Sequence, residues 1–293
     1  MSKLKNLILV INAMASKYST EFGEIHDGIK NTHDHGPNPI GIDCIRSVIV
    51  DDSGEVLIDE EVNEVYFGVG ATSRSNRYYN KSKLSTDWET LIRNKTNRGL
   101  LYSRLIALDA MKDYDPETTW VRYYDASDLT KCNEELGSYD KFPGAFGLND
   151  LLYDETIDYS TIKWKEVGVT DMNTNALTLS GSCKDSRLII DALETGVLDE
   201  HCWSKVYRLD KLIKVRDSIY ELYGGKDNIP NIFHRADYLI NRLYATHVEN
   251  FRSVSTQEIL YYHNPGGQSS TDPKDKIESD ENIAFKALNT ILR

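Results

Sequence analysis

Three apolar runs stand out against a polar background. KNLILVINAMA near the start, IDCIRSVIV at 42–50 and TTWVRYY at 118–124 are short and rich in β-branched and aromatic residues, so each predicts a buried strand. The first ends in small residues, the second in the turn-forming Asp51-Asp52-Ser53-Gly54, and the third in two acids, Asp125 and Asp128. VLIDEEVNEVYFGVG, 56–70, predicts one or two further strands. SKYSTEFGEIHDGIKNTHDHGPNP, 16–39, is polar and carries Pro37 and Pro39, which predicts loop. From Leu84 to Met111 the pattern turns helical, with Leu100, Leu101, Leu105, Leu108 and Met111 on one face. The second half predicts three helices, SRLIIDALETG, DKLIKVRDSIYELYGG and HRADYLINRLYATHVENF, the first closed by Gly196 and the second by Gly224 or Gly225. EILYYHNPGG reads as a short strand entering a Gly-rich loop, followed by a polar, mobile tail and a short helix, NIAFKALNTIL.

Strands alternating with helices imply a mainly parallel, mixed sheet with helices on its faces and a more helical C-terminal part. In such sheets ligands gather at the carboxyl ends of the strands, and both acidic clusters, 51–52 and 125–128, follow strands directly. At 293 residues with 40% hydrophobic and 27% charged side chains, the chain can bury a substantial core and is not disordered. A formal charge of −12 argues against broad electrostatic contact with nucleic acid, though not against a local basic groove. No apolar run is long enough to span a bilayer and no cleavable leader is apparent, so no membrane insertion and a cytoplasmic address are expected. Cys44, Cys132, Cys183 and Cys202 form no C-x-x-C pair, which argues against a zinc knuckle or disulfide framework and for buried thiols.

Five segments, in order, resemble the family 2 glycosyltransferases of the GT-A fold. SVIVDDSGE is similar to the family's strand-plus-diacid motif, and WVRYYDASDL to its later strand ending in D-a-D-D. NRGLLYSRLIALDAM resembles the helix between them, ILVINAMAS the opening strand, and LYYHNPGGQS the closing Y-Y-x-H-x-x-G-S motif. Together they span about residues 6 to 270. The chain departs from the family in a long interval between Asp52 and Asp128 and in Ser127, which stands where the family has an acid. The family's E-D motif is not present as such. The resemblance implies residues 1–170 as the nucleotide-sugar-binding half, 171–270 as the acceptor-side half of the same domain, and 271–293 as a tail.

The resemblance further implies a nucleotide-sugar donor, with UDP the commonest nucleotide, and a divalent cation, Mn²⁺ or Mg²⁺. Carboxylates rigid at a strand end suit a hard cation that bridges diphosphate oxygens. Asp128 would hold the metal, with Asp125 beside it contacting the sugar nucleotide; the local alternative is an Asx-turn or helix cap. His263 would be a further metal or diphosphate contact, or a surface histidine beside a turn. Asp51 and Asp52 would contact base and ribose, with Asn12 near them; a plain turn is the alternative. Arg98 and Arg104 would face the diphosphate, or lie on a solvated helix face. An inverting transferase also needs a base for the acceptor hydroxyl. Asp185, opening a helix whose N-terminus keeps it ionised, is the first candidate, and simple capping its alternative; Asp171 and Asp191 come next.

Other readings compete. ALTLSGSCKDSRLII resembles the S-G-G-x-D-S pyrophosphate loop of ATP-dependent amidating enzymes, with one extra residue. A non-catalytic GT-A-like binding domain would account for Ser127. His26, Asp27, His33, Asp34 and His35 invite a zinc reading, although they follow no strand. The acceptor is open between DNA, glycan and protein. For DNA, with a hydroxymethylated base as in phage-type DNA as the acceptor, the sequence offers one feature: the interleaved Arg, His and aromatic residues of HRADYLINRLYATHVENFR.

Overall fold

The computed structural model describes residues 6–13, 44–52, 58–59, 64–66, 78–80, 85–86, 89–125, 128, 159–161, 164–166, 182–183, 185–252, 261–263 and 272–293. In chain order the elements are β1 (Asn6–Ala13), β2 (Cys44–Asp51), β3 (Ile58–Asp59), β4 (Glu64–Tyr66), β5 (Tyr78–Asn80), β6 (Ser85–Thr86), β7 (Glu89–Arg93) and α1 (Gly99–Asp109). There follow β8 (Thr119–Asp125), β9 (Tyr159–Thr161), β10 (Trp164–Glu166), β11 (Ser182–Cys183), α2 (Ser186–Glu194), β12 (Lys205–Arg208), α3 (Leu209–Tyr223), α4 (Ala236–Ala245), β13 (Phe251–Arg252), β14 (Tyr261–His263) and α5 (Lys274–Ile291).

Nine strands form one mixed sheet in the order β11-β13-β9-β12-β8-β1-β2-β7-β6. Its centre is parallel: β8, β1, β2 and β7 run the same way. β12 enters antiparallel between β8 and β9, and β13 runs parallel to β9. The central strands are buried on both faces, which is why they read as continuous apolar runs rather than as alternation. Ile8, Val10, Val121 and Tyr123 share a core with Leu101 and Leu105 of α1, Val215 of α3, Leu239 and Leu243 of α4, and Ala284 and Leu288 of α5. The mixed, helix-flanked α/β architecture expected from the sequence is therefore present. β11, β12 and β13, from the half after residue 170, extend the sheet begun by the first half. Among the described residues no helix is long and apolar enough to cross a membrane.

Three expectations are corrected. The helix predicted from Leu84 begins only at Gly99; residues 89–93 instead form β7, which pairs in parallel with the open edge of β2, Ser47 opposite Glu89 through Asp51 opposite Arg93. The periodic leucines lie wholly in α1 and the turn after it, so nothing in the pattern before Gly99 demanded a helix. The short terminal helix is an 18-residue one, α5, packed on α3 and α4. Its buried side is Asp280, Ala284, Ala287 and Leu288, a three-and-four spacing that the charged opening turns conceal. The aromatic-basic tract offered as a nucleic-acid surface is α4, where Tyr238, Arg242 and Tyr244 are all buried. Arg242 is committed to Glu194 and Glu200, so the helix presents no stacking face for a base. The His26–His35 cluster and Asp171 lie outside the described residues.

Candidate active site at the carboxyl edge of the sheet

After β1 the chain builds outward through β2 and β7, then returns to place β8 on the other side of β1. That reversal leaves a crevice between β1 and β8 at their carboxyl ends, where open α/β sheets take their ligands. Register fixes what lines it: Asn12 lies opposite Asp125, and Ala13 opposite Asp51. Neither polar atom of the Asn12 amide has a hydrogen-bond partner among the described residues.

Asp128, three residues beyond the end of β8, is buried, with 1% of its side chain exposed. His263, at the end of β14, brings its Nδ1 to 3.0 Å from Asp128 Oδ2. Asp125 is one-third exposed and sits at the foot of the crevice. Crowding by protein raises its pKa above the ordinary carboxylate value; Arg104 opposes that shift, Asp128 adds to it and His263 opposes it. A carboxyl in this position gains from any cation brought near it.

Arg104, on α1, is fully buried and does not reach the crevice mouth. It pairs with Asp237, in the first turn of α4, and lies 3.9 Å from Asp125 Oδ1. A buried guanidinium must be neutralised, and here two acids from separate elements share that task. Asp237 Oδ2 also accepts the backbone N–H of Cys202 at 2.9 Å. Asp237 thus stands at a helix N-terminus on the carboxyl edge of the sheet, tied through Arg104 to the acid on β8.

The turn Cys202–Ser204 leads into β12, whose antiparallel register puts that turn level with the carboxyl end of β8. Asp199 organises it, accepting from Ser204 Oγ at 2.6 Å, Lys205 Nζ at 2.9 Å and the His201 N–H at 2.9 Å. Burial pushes the Asp199 carboxyl up, but Lys205 and these hydrogen bonds outweigh it and hold it below its ordinary value. Three rings lie nearly parallel there. His201 stacks on Trp203 at 4.6 Å and Trp203 on His263 at 5.0 Å. Burial, with Lys205, lowers the His201 pKa to about 4 against the pull of Asp199, leaving the ring neutral at pH 7.

Other predicted residues are placed differently. Asp52 is buried, and its carboxylate accepts from Asn94 Nδ2 at 2.7 Å and from the backbone N–H groups of Arg98 and Gly99 at 2.9 and 2.8 Å. It therefore anchors the start of α1 from a distant strand end. Burial raises its pKa, with these hydrogen bonds pulling the other way. Gly99 is required there. Its φ is +84°, and a Cβ would lie 2.4 Å from Asn231 Oδ1 and 2.8 Å from the Ile232 carbonyl oxygen. Arg98 turns away to the Asp227 carbonyl oxygen at 2.9 Å, over the Tyr102 ring.

Asp185 caps its own helix, accepting the Arg187 N–H at 2.9 Å. β11 runs against the parallel strands, and the register places Cys183 level with Val121. Asp185 therefore lies toward the amino edge. It is at least about 13 Å along the strands and about 19 Å across them from Asp125. Asp191 follows it on the same helix. The structure does not bring either acid to the crevice.

The sequence reading passed over Asp237, His201, Trp203, Asp199 and Lys205. Asp237 carried a usable signal, an acid in the first turn of a helix that the sequence did reveal.

No family model and no curated protein sequence matches the chain. Among solved structures it is similar to glucosyl-3-phosphoglycerate synthase from Mycobacterium tuberculosis in complex with Mg²⁺ and uridine diphosphate, at 12% identity and a TM-score of 0.44, over 98% of this chain and 79% of that one.

Proposed function

We propose that the protein is a glycosyltransferase that moves a sugar from a nucleotide diphosphate sugar, read as a UDP-sugar, to an acceptor hydroxyl with inversion. The observation that carries this reading is the pair Asp125 and Asp128 at the carboxyl end of β8, beside the crevice where the strand order reverses, with Asp237 joined to it through Arg104.

The donor set suits a divalent cation of the Mg²⁺ or Mn²⁺ type. Among the described residues no group of three His, Cys, Asp or Glu side chains is placed to hold a metal ion by itself. Asp128, with His263 and Asp125 near it, is instead a partial oxygen-rich set, and such ions are held by one or two carboxylates plus substrate phosphates. Bound there, the cation would neutralise charge developing on the departing diphosphate. Asp128 and Asp125 would hold it, with His263 orienting Asp128. Asn12 and Asp51, one register position apart at the ends of β1 and β2, would meet the nucleotide. Asp52 supports them from beneath by fixing α1.

Asp237 takes over the role first given to Asp185. It has the same chemical qualification, a carboxylate at a helix N-terminus, and it stands on the carboxyl edge of the sheet. Asp237 would accept the proton of the attacking hydroxyl, while Arg104 keeps it ionised and oriented until then.

Calorimetric titration with UDP, with and without Mn²⁺, tests the reading. Micromolar binding that requires the metal and disappears in Asp128→Ala is expected. Absence of UDP binding, or binding indifferent to both metal and variant, would overturn it.

A further inference from the structure

Arg235, the residue before α4, has a φ of 65° and is the only non-glycine among the described residues with a positive φ. A residue with a Cβ resists that conformation, and glycine would hold the same bend with less strain. What arginine has and glycine lacks is a fork. Its Nη1 lies 3.1 Å from Glu200 Oε2, ahead of β12, and its Nη2 lies 2.9 Å from Glu281 Oε1 on α5. All three side chains are at least 30% exposed, and ion pairs so exposed add little stability. Stability therefore does not account for an arginine at this bend. A strained backbone that stability does not explain points to function.

The bend is tied down residue by residue. The N–H groups of Phe233 and His234 donate to the Asp280 carboxylate of α5, and His234 Nε2 lies 2.9 Å from Asp272 Oδ2. On the other side, two rungs join the segment 200–202 to the start of α4. Glu200 meets Arg235, and two residues further along each segment the Cys202 N–H donates to Asp237 Oδ2 at 2.9 Å. Asn241 Nδ2 and Arg242 Nη2 reach the same Glu200, 2.6 Å from its carbonyl oxygen and 3.1 Å from Oε1. The Arg235 carbonyl oxygen accepts the first helical N–H of α4, from Leu239, at 3.1 Å. The direction in which α4 leaves the bend is thus set at Arg235, and Asp237 lies in the first turn that follows.

We infer that Arg235 is a positioning residue: clasped by Glu200 and Glu281 in a left-handed backbone, it sets where Asp237 presents its carboxylate at the crevice. Its effect on turnover rests on the proposed role of Asp237 as the base. The clasp itself is a statement about where that carboxylate is held.

Two variants of the full-length protein test it. Arg235→Gly permits the same φ and removes the fork, and Glu281→Ala removes only the α5 arm. Amide hydrogen exchange, followed by NMR, is read at Cys202, whose N–H reports the Asp237 carboxylate directly, with Val206 of β12 as the control. UDP release from UDP-glucose, UDP-galactose and UDP-N-acetylglucosamine with Mn²⁺ is read as kcat and KM. Arg235→Gly should quicken exchange at Cys202 about tenfold while Val206 stays at the wild-type rate. It should also lower kcat by about 10- to 100-fold at unchanged donor KM, as misplacement of a reacting group does. Glu281→Ala should shift Cys202 and kcat in the same directions, by less. The inference is overturned if Cys202 does not respond to Arg235→Gly, if Val206 quickens with it, or if kcat is unchanged. If Asp237→Asn releases UDP at the wild-type rate, or the wild-type protein releases none, the assignment of Asp237 as base falls. Exchange at Cys202 against Val206 then decides the clasp by itself.

Discussion

Asp185 and Asp237 are alike in sequence terms: each is an acid at the start of an amphipathic helix in the second half of the chain. The fold gives them different work. Asp185 follows a strand that runs against the parallel core, so α2 starts at the amino edge and the acid, exposed to solvent, caps its own helix. Asp237 starts α4 on the opposite edge, and its side chain reaches outside its helix to Arg104 and to the Cys202 N–H. A carboxylate at a helix N-terminus is a common chemical object, and the fold decides at which edge of the sheet each one stands.

Exchanging charge for a neutral isostere should separate the two most sharply. Asp237→Asn is expected to lower donor turnover, followed as UDP release, by about 10²- to 10⁴-fold, as loss of a general base does. Asp185→Asn should leave it within about twofold; a larger effect there would reverse the assignment. Arg104→Met strands two acids around a buried site and should cost about 3–5 kcal/mol in urea unfolding. Part of that cost should return in the double variant with Asp237→Asn. A third helix start, that of α1, provides an intermediate case. Gly99→Ala places a methyl group against the Asn231 side chain and the Ile232 carbonyl at a φ that alanine resists, so a loss of at least about 2 kcal/mol is expected. Asp185→Ala, which removes only a local cap, should cost about 0.5–2 kcal/mol and leave UDP binding unchanged.

The smallest effect is in pH. His201 has a folded pKa near 4 against an ordinary 6.5, so protonation favours the unfolded chain. Its contribution to stability is complete above pH 6.5 and is lost as pH falls from 6.5 to 4. The urea midpoint of His201→Phe should lack that part of the acid slope.

The central strands and the closing glycines of α2 and α3 were legible because each is written locally, in a run of apolar residues or a single left-handed position. β9, β12 and β13 were not. Two to four residues long, they acquire strand geometry from neighbours far along the chain, and KVYR carries no period by itself. The acids at the ends of β2 and β8 were legible as candidates, but their separate roles were not. Asp52 is used up by amides 46 and 47 positions away, a partnership with no trace in local sequence. Arg104 looked like a helix-surface cation because its helix has little contrast between faces, with buried residues all around it.

Asp280 sits in the buried face of α5, where its carboxylate receives the N–H groups of Phe233 and His234 at 2.9 and 3.0 Å, just before Arg235, which has a φ of 65°, and then Asp237. Arg235 in turn meets Glu281 of α5 and Glu200 of the turn leading to His201. For protein engineering this defines the smallest portable unit on that side of the crevice. A graft that replaced 231–237 while leaving α5 behind would import a bend without the anion that holds it, so the two segments should be transplanted together.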